Sequence, residues 1–165
     1  MISKKLSDAI NKQINREIYS AYLYLSMASY FDSVALRGCG SWMKAQFKEE
    51  MTHAMKMYEY LYKNASRAVM LPIEAPRATW DSPLEAFKHT LGHEKMVTGL
   101  INDLVATAKA EKDTGGEIFL HWFVKEQVEE VESAEDKVKK LEAAGGDGEK
   151  IRVLDEELGK REFNG

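Results

Sequence analysis

The sequence predicts an all-α fold: a four-helix bundle with a long crossover between the second and third helices and a short fifth helix at the C-terminus. Apolar residues recur at helical spacing over four long stretches. All three prolines, Pro72, Pro76 and Pro83, fall in one short segment, which leaves the remaining chain free to be helical. No alternation of period two competes with this pattern.

The first helix is expected from about Ser3 to Asp32, the second from Leu36 to Ala65, the third from Ser82 to Glu111 and the fourth from Thr114 to Ala144. Turn chemistry separates them: Asp32-Ser33 before the second, Asp81-Ser82-Pro83 as a start signal for the third, and Asp113-Thr114-Gly115-Gly116 before the fourth. Gly145-Gly146-Asp147-Gly148 closes the fourth, and Ile151, Leu154 and Leu158 give the segment from Glu149 to Arg161 one apolar side. The first and third breaks are short and should join antiparallel neighbours, whereas the link from Ser66 to Asp81 is long. A helix of about 28 residues is roughly 42 Å long, and an extended link of about 16 residues reaches about 53 Å. The link can therefore run the length of the bundle and leave the second and third helices parallel. Residues 1–165 read as one domain, with the bundle at about 3–144 and the fifth helix at about 149–161.

Composition narrows the function. A formal charge of -4 and a pI near 5.7 argue against nucleic acid as a partner, since phosphate binding draws on a cationic face. Cys39 is the only cysteine, which excludes an intrachain disulfide and any cysteine-built metal site and reads as a small apolar side chain. The first residues turn polar at once, and no run approaches ~18 apolar residues, so a cytoplasmic protein without membrane contact is expected.

The informative residues interrupt the apolar stripes. The inward series of the first helix is Ile10, Ile14, Glu17, Ala21, Tyr24 and Ala28, with a carboxylate where an apolar residue belongs. The second gives Met43, Phe47, Glu50, Ala54, Met57 and Leu61, and His53 lies one turn beyond Glu50, so Glu50-x-x-His53 can hold a metal from one face. The third gives Leu84, Phe87, Leu91, Glu94, Thr98, Ile101 and Val105, and the fourth Phe119, Phe123, Gln127, Glu130, Ala134, Val138 and Leu141. Each helix thus brings a ligand type to the core near its middle, and no Lys or Arg falls on the stripes to neutralise four glutamates. Buried unpaired charges cost several kcal/mol each, so cations must compensate. Two divalent ions would balance Glu17, Glu50, Glu94 and Glu130, and oxygen-rich ligation with one imidazole suits iron or manganese better than structural zinc.

Singly, these residues have plainer readings: a misassigned face for Glu17 or Glu94, a satisfied core histidine for His53, a hydrogen-bonded amide for Gln127. Their joint occurrence on four helices weakens those readings. A second acidic set, Glu49, Glu126 and Glu129, can bind a further ion or form part of a solvated, charge-rich face. Tyr24 can be a core tyrosine, a hydrogen-bond donor to a ligand or an electron donor.

Glu17, Tyr24, Glu50-x-x-His53, Glu94 and Gln127-x-x-Glu130 together resemble the non-haem ferritins of bacteria and archaea, along with the runs from Arg16 to Leu25, Glu49 to Ala54 and Trp122 to Glu130. The resemblance covers nearly the whole chain. It implies a ferritin-like fold and a ferroxidase centre, with one iron held by Glu17, Glu50 and His53, and another by Glu94 and Glu130 with Glu50 bridging and Gln127 alongside. It also implies a third iron site from Glu49, Glu126, Glu129 and Glu130, and self-assembly into a hollow shell of twenty-four subunits with the last helix lining channels. Fe(II) would be oxidised by dioxygen or hydrogen peroxide and stored as ferric mineral. Gln127-x-x-Glu130 departs from the second Glu-x-x-His of bundle-type di-iron oxygenases and of bacterioferritins. Met51 occupies the position next to Glu50 where bacterioferritins place a haem ligand, but no haem is expected. Glu117 and His121, spaced with Asp113 at four-residue steps, are candidate pore residues or ordinary solvated ones. A metal-binding bundle without turnover and a purely structural bundle are the competing classes.

Overall fold

The computed structural model describes residues 2–164, which form five α-helices and, among the described residues, no strand. They are α1 (Lys4–Ser33), α2 (Arg37–Lys63), α3 (Pro83–Ala110), α4 (Thr114–Ala144) and α5 (Gly148–Leu158). None is long and apolar enough to cross a membrane.

All the helices but α2, which follows Leu36 without a side-chain cap, start where short polar side chains satisfy their orphan amides. Ser3 accepts from Leu6 N, Ser82 from Glu85 N at 3.1 Å, and Asp113 from Gly116 N at 2.8 Å. Asp147 does the same for Glu149 N and Lys150 N, while Pro83 occupies the first turn of α3. At the other end of α4, Gly145 takes φ +56°, a left-handed conformation suited to glycine. α5 stops at Leu158, three residues short of the expected Arg161, because the chain turns through Gly159 and Lys160. Gly159 packs so close to Gly38 that a side chain there would meet its backbone.

α1 pairs with α2 and α3 with α4, and α1 also packs on α3. The crossover follows α1 from end to end through hydrogen bonds. Asn11 Nδ2 donates to Arg67 O at 3.0 Å, Asn11 Oδ1 accepts from Val69 N at 2.6 Å, and Asn15 Oδ1 accepts from Leu71 N at 3.2 Å. Further along, Ser26 donates to Arg77 O at 2.7 Å, and Trp80 reaches the ring of Tyr30. The chain therefore leaves α2 beside the start of α1 and enters α3 beside its end, where Phe31 meets Phe87. α2 and α3 consequently run parallel, as the length of the link predicts.

The buried face of α3 is broader than the stripe read from sequence. Leu84, Leu91, Thr98 and Val105 are only partly buried, whereas Ala86, Thr90, His93, Val97, Leu104 and Ala108 are fully buried beside Phe87, Glu94 and Ile101. α3 contacts α1 as well as α4, so two adjacent rows of side chains leave water.

The core has two apolar halves. One gathers Leu23, Met27, Phe31, Trp42, Phe87 and Leu141, and the other Leu6, Ile10, Met57, Leu61, Ile101 and Phe123. Along every long helix, the buried glutamate falls between these two sets, and on α2 so does His53.

α5 covers the first half with Leu154 and Leu158. It sits against the start of α2, where Cys39 N donates to Asp155 Oδ1 at 2.7 Å. Burial, then Asp155, pushes the Cys39 thiol far up, so it stays neutral and apolar in character. A Cβ on Gly38 would lie 1.6 Å from the Asp155 carbonyl oxygen, and backbone atoms on both sides leave no flexible end to yield. Gly38→Ala is therefore expected to unseat α5 and cost about 1–3 kcal/mol, read as a lower thermal midpoint and faster amide exchange at Gly148–Leu158.

Candidate metal centre

Between the apolar halves lies a layer of buried acids. Glu17, Glu50, Glu94 and Glu130 are only 1%, 2%, 1% and 7% exposed, and His53 is 2% exposed. α1, α2, α3 and α4 each supply one glutamate, and α2 adds the histidine one turn after its own. Among the described residues, no lysine or arginine is fully buried.

Glu17, Glu50 and His53 offer ligand atoms that all lie within 4.8 Å of one another, a span one metal ion can bridge. His53 Nδ1 is 3.6 Å from Glu50 Oε2, too long for a hydrogen bond but right for two ligands around an ion. The imidazole is held edge-on by Trp122 and Phe123. Burial lowers its pKa, which keeps it neutral with a lone pair available, although Glu17 and Glu49 pull the other way.

Hydrogen bonds fix three of the carboxylates, Glu17 and Glu130 at one oxygen each and Glu94 at both. Gln13 Nε2 donates to Glu17 Oε1 at 2.7 Å, and Gln46 Nε2 donates to Glu130 Oε2 at 2.8 Å. Tyr24 OH donates to Glu94 Oε1 while Gln127 Nε2 donates to Glu94 Oε2 at 3.1 Å. Glu17 Oε2 and Glu50 Oε2 are buried with no hydrogen-bond partner. Orphaned buried oxygens of this kind mark where a cation is missing from the charge balance.

The same crowding shifts the acids. Glu50 is pushed well above the carboxylate range by burial, then by Glu94 and Glu17. Burial raises Glu94 to about 7 despite the bonds from Tyr24 and Gln127, and burial followed by Glu94 and Glu49 raises Glu130 to about 8. Without metal the layer therefore holds protons at neutral pH, and a divalent ion must displace them. Tyr24 is likewise held as a neutral phenol, chiefly by its own burial and then by Glu94.

The second acidic set is divided. Glu49 and Glu126 join His53 in a second group of ligand atoms within 4.8 Å, on the more open side of the layer. Glu129 is exposed and lies outside that group, but it shares a hollow with Glu49 and Glu130. His53 thus has one ring nitrogen toward Glu50 and the other 4.0 Å from Glu126.

Four nearby residues were not among the sequence candidates. Gln13 and Gln46 each lie one turn before a buried glutamate, a spacing that signals a polar partner in the same layer. His93, next to Glu94, instead faces Ser20 Oγ at 2.8 Å, and burial, then His89, lowers it to about 4. Arg161 pairs with Glu49 at 2.6 Å from beyond the last helix, a contact with α2 that the pattern of its own segment does not show.

Other candidates lie elsewhere. Met51 is half-buried in a groove with Ile18, Met55 and Tyr58. Glu117 is partly buried and His121 exposed in the first turns of α4, and Asp113, which shares their spacing, is the helix cap.

A bundle of four antiparallel and parallel helices around a carboxylate and histidine layer defines the class of ferritin-like metal-binding proteins. The ferritin-like domain model matches residues 7–144. A bacterial non-heme ferritin of Bacteroides fragilis is 44% identical over 161 residues, covering 98% of this chain and 100% of that one. One from Staphylococcus epidermidis is 36% identical, covering 99% of each chain. The solved open pore ferritin of Archaeoglobus fulgidus superposes with a TM-score of 0.97 at 50% identity, over 98% of this chain and 100% of that one. The chain belongs to the ferritin family.

Proposed function

We propose that this ferritin stores iron by oxidising it at the buried layer and depositing the ferric product inside a shell built from copies of itself. The observation that carries this reading is the layer itself: four glutamates and a histidine buried together, two of the carboxylate oxygens without partners. Hard oxygen ligands favour Fe(III) over Fe(II), so binding and oxidation drive one another. Glu17, Glu50 and His53 would hold one ferrous ion, and Glu94 and Glu130 the other with Glu50 shared. Two ferrous ions give up one electron each to dioxygen or peroxide, whose reduction takes up two protons. Gln127 and Tyr24 orient Glu94.

Glu49, Glu126 and Glu129, with Glu130, would form a third iron site. Its partial exposure suits passage rather than retention, so Glu126→Gln is expected to lower the iron oxidised per subunit in repeated turnover. The first fast oxidation should change by less than about threefold, a mild effect compared with losing an inner ligand. Equal loss of both phases would contradict this division.

Shell assembly is supported by large apolar side chains left exposed on the helices and the crossover: Tyr22, Leu25, Tyr58, Tyr62 and Met70. Family membership and the archaeal structural relatives support the same reading. Repeated ferrous additions in air, followed by gel filtration, test storage and assembly together. Iron should co-elute with a particle many times the 18.7 kDa of one chain. Ferric hydroxide separating from a protein that elutes as a monomer would overturn the reading.

A further inference from the structure

Arg161 lies in the turn after α5, yet its guanidinium reaches α2. It donates from Nη2 to Glu49 Oε2 at 2.6 Å and lies over the Trp42 ring at 4.6 Å. A planar guanidinium can stack on an indole and bond a carboxylate at the same time, which an ammonium does less well. The hollow around it is lined by the acids Glu49, Glu129 and Glu130 and by the bases Lys137, Lys160 and Arg161. Glu49 also offers an oxygen to the outer group with His53 and Glu126. One carboxylate therefore has two claims on it, from a fixed cation of the chain and from any metal ion bound there.

The fit is incomplete. Arg161 Nη1 is buried without a hydrogen-bond partner, so the arginine does not satisfy all its donors in this position. An anchor that served only to hold the C-terminus would not leave a buried donor orphaned, since that costs about 1–3 kcal/mol. We propose that Arg161 is a built-in competitor for the outer metal site, holding Glu49 until a divalent cation displaces it, and that this exchange frees the C-terminal segment from Trp42. The inference rests on the reading of Glu49 and Glu126 as ligands of a third ion. Its consequence is that the outer site binds weakly by construction: the arginine supplies positive charge when iron is scarce and yields when the inner layer is full.

Anaerobic calorimetric titration with Co²⁺, a redox-stable stand-in for Fe²⁺, tests it on the assembled protein. In Arg161→Gln the third ion per subunit should bind about tenfold more tightly, the scale of one charge-assisted hydrogen bond, with the first two changed by less than about twofold. Arg161→Lys should lie between this variant and the native protein. In the native protein, without any substitution, saturating Co²⁺ should speed amide exchange at Gly159–Asn164, a readout independent of whether the variants fold. Equal third-ion affinity in native and Arg161→Gln protein, or exchange unmoved by Co²⁺, would overturn the competitor role while leaving the outer site standing. Only two ions per subunit in both proteins would overturn the outer site itself, and the competitor with it.

Discussion

Glu50→Ala should abolish fast ferrous oxidation, slowing it by at least about 100-fold toward the protein-free rate, because the residue stands at the junction of the layer. It faces Glu17 and His53 within one ligand group, and its own protonation is governed by burial and then by Glu94, Glu17 and Glu130. Removing it strips a ligand from each of the two proposed inner ions, whereas removing Glu17 or Glu94 strips one. The substitution also takes away a buried oxygen that has no partner in the metal-free protein. Metal-free Glu50→Ala should therefore unfold at or above the native temperature, since the relief of crowding at least offsets the small cavity left behind. Loss of oxidation together with an unchanged or raised midpoint separates chemistry from misfolding.

The second large effect is on stability against pH. Glu94 and Glu130 are raised to about 7 and about 8 by burial and by neighbouring acids, and Glu50 is raised well above the carboxylate range for the same reasons. Between the ordinary carboxylate range near 4.5 and pH 8 the folded metal-free chain thus holds more protons than the unfolded one. Stability from these groups is fully present below the unfolded pKa and is lost as pH rises through the folded values. One pKa unit corresponds to about 1.4 kcal/mol, so the combined loss should reach several kcal/mol by pH 8.5. Urea unfolding of the metal-free protein at pH 5.5 and 8.5 should show the fall, and Glu130→Gln should flatten it. Divalent metal should reverse it, because ions bind the deprotonated layer and release protons as they do so. A metal-free protein more stable at pH 8.5 than at 5.5 would contradict this electrostatic picture.

The parts of this molecule that were legible in the sequence are those where one face of one helix decides. The α1 stripe alternates steps of four and three through Ile10, Ile14, Glu17, Ala21, Tyr24 and Ala28, and every one of these residues is buried. α4 begins at Thr114 and ends at Ala144 as expected, since Asp113 caps it and Gly145 turns left-handed after it. α3 was harder to read because it packs on two helices, and a single row of positions misses Thr90, His93 and Val97. The end of α5 was overrun because Lys160 and Arg161 continue a helical pattern, while Gly159 seats against Gly38 and ends it.

The site followed the same division. The inner acids and His53 were legible as charges on apolar stripes; all are buried, and Glu17, Glu50 and His53 share one ligand group. Of the donors that aim those acids, Tyr24 and Gln127 were legible, but Gln13 and Gln46 were not, although they lie one turn before Glu17 and Glu50. Gln46 in fact serves Glu130 on another helix, a pairing that depends on how α2 and α4 face each other rather than on either stripe. Glu129 was grouped with Glu126 by its spacing, yet only Glu126 turns toward His53.

The central claim is that this layer oxidises two ferrous ions per subunit. Stopped-flow absorbance in the near ultraviolet, after mixing metal-free protein with increasing ferrous iron in air, tests it most directly. A fast ferric phase whose amplitude saturates near two irons per subunit is the expected result. A rate no faster than that of protein-free solution would contradict it and leave a helical bundle that binds metal without turning it over.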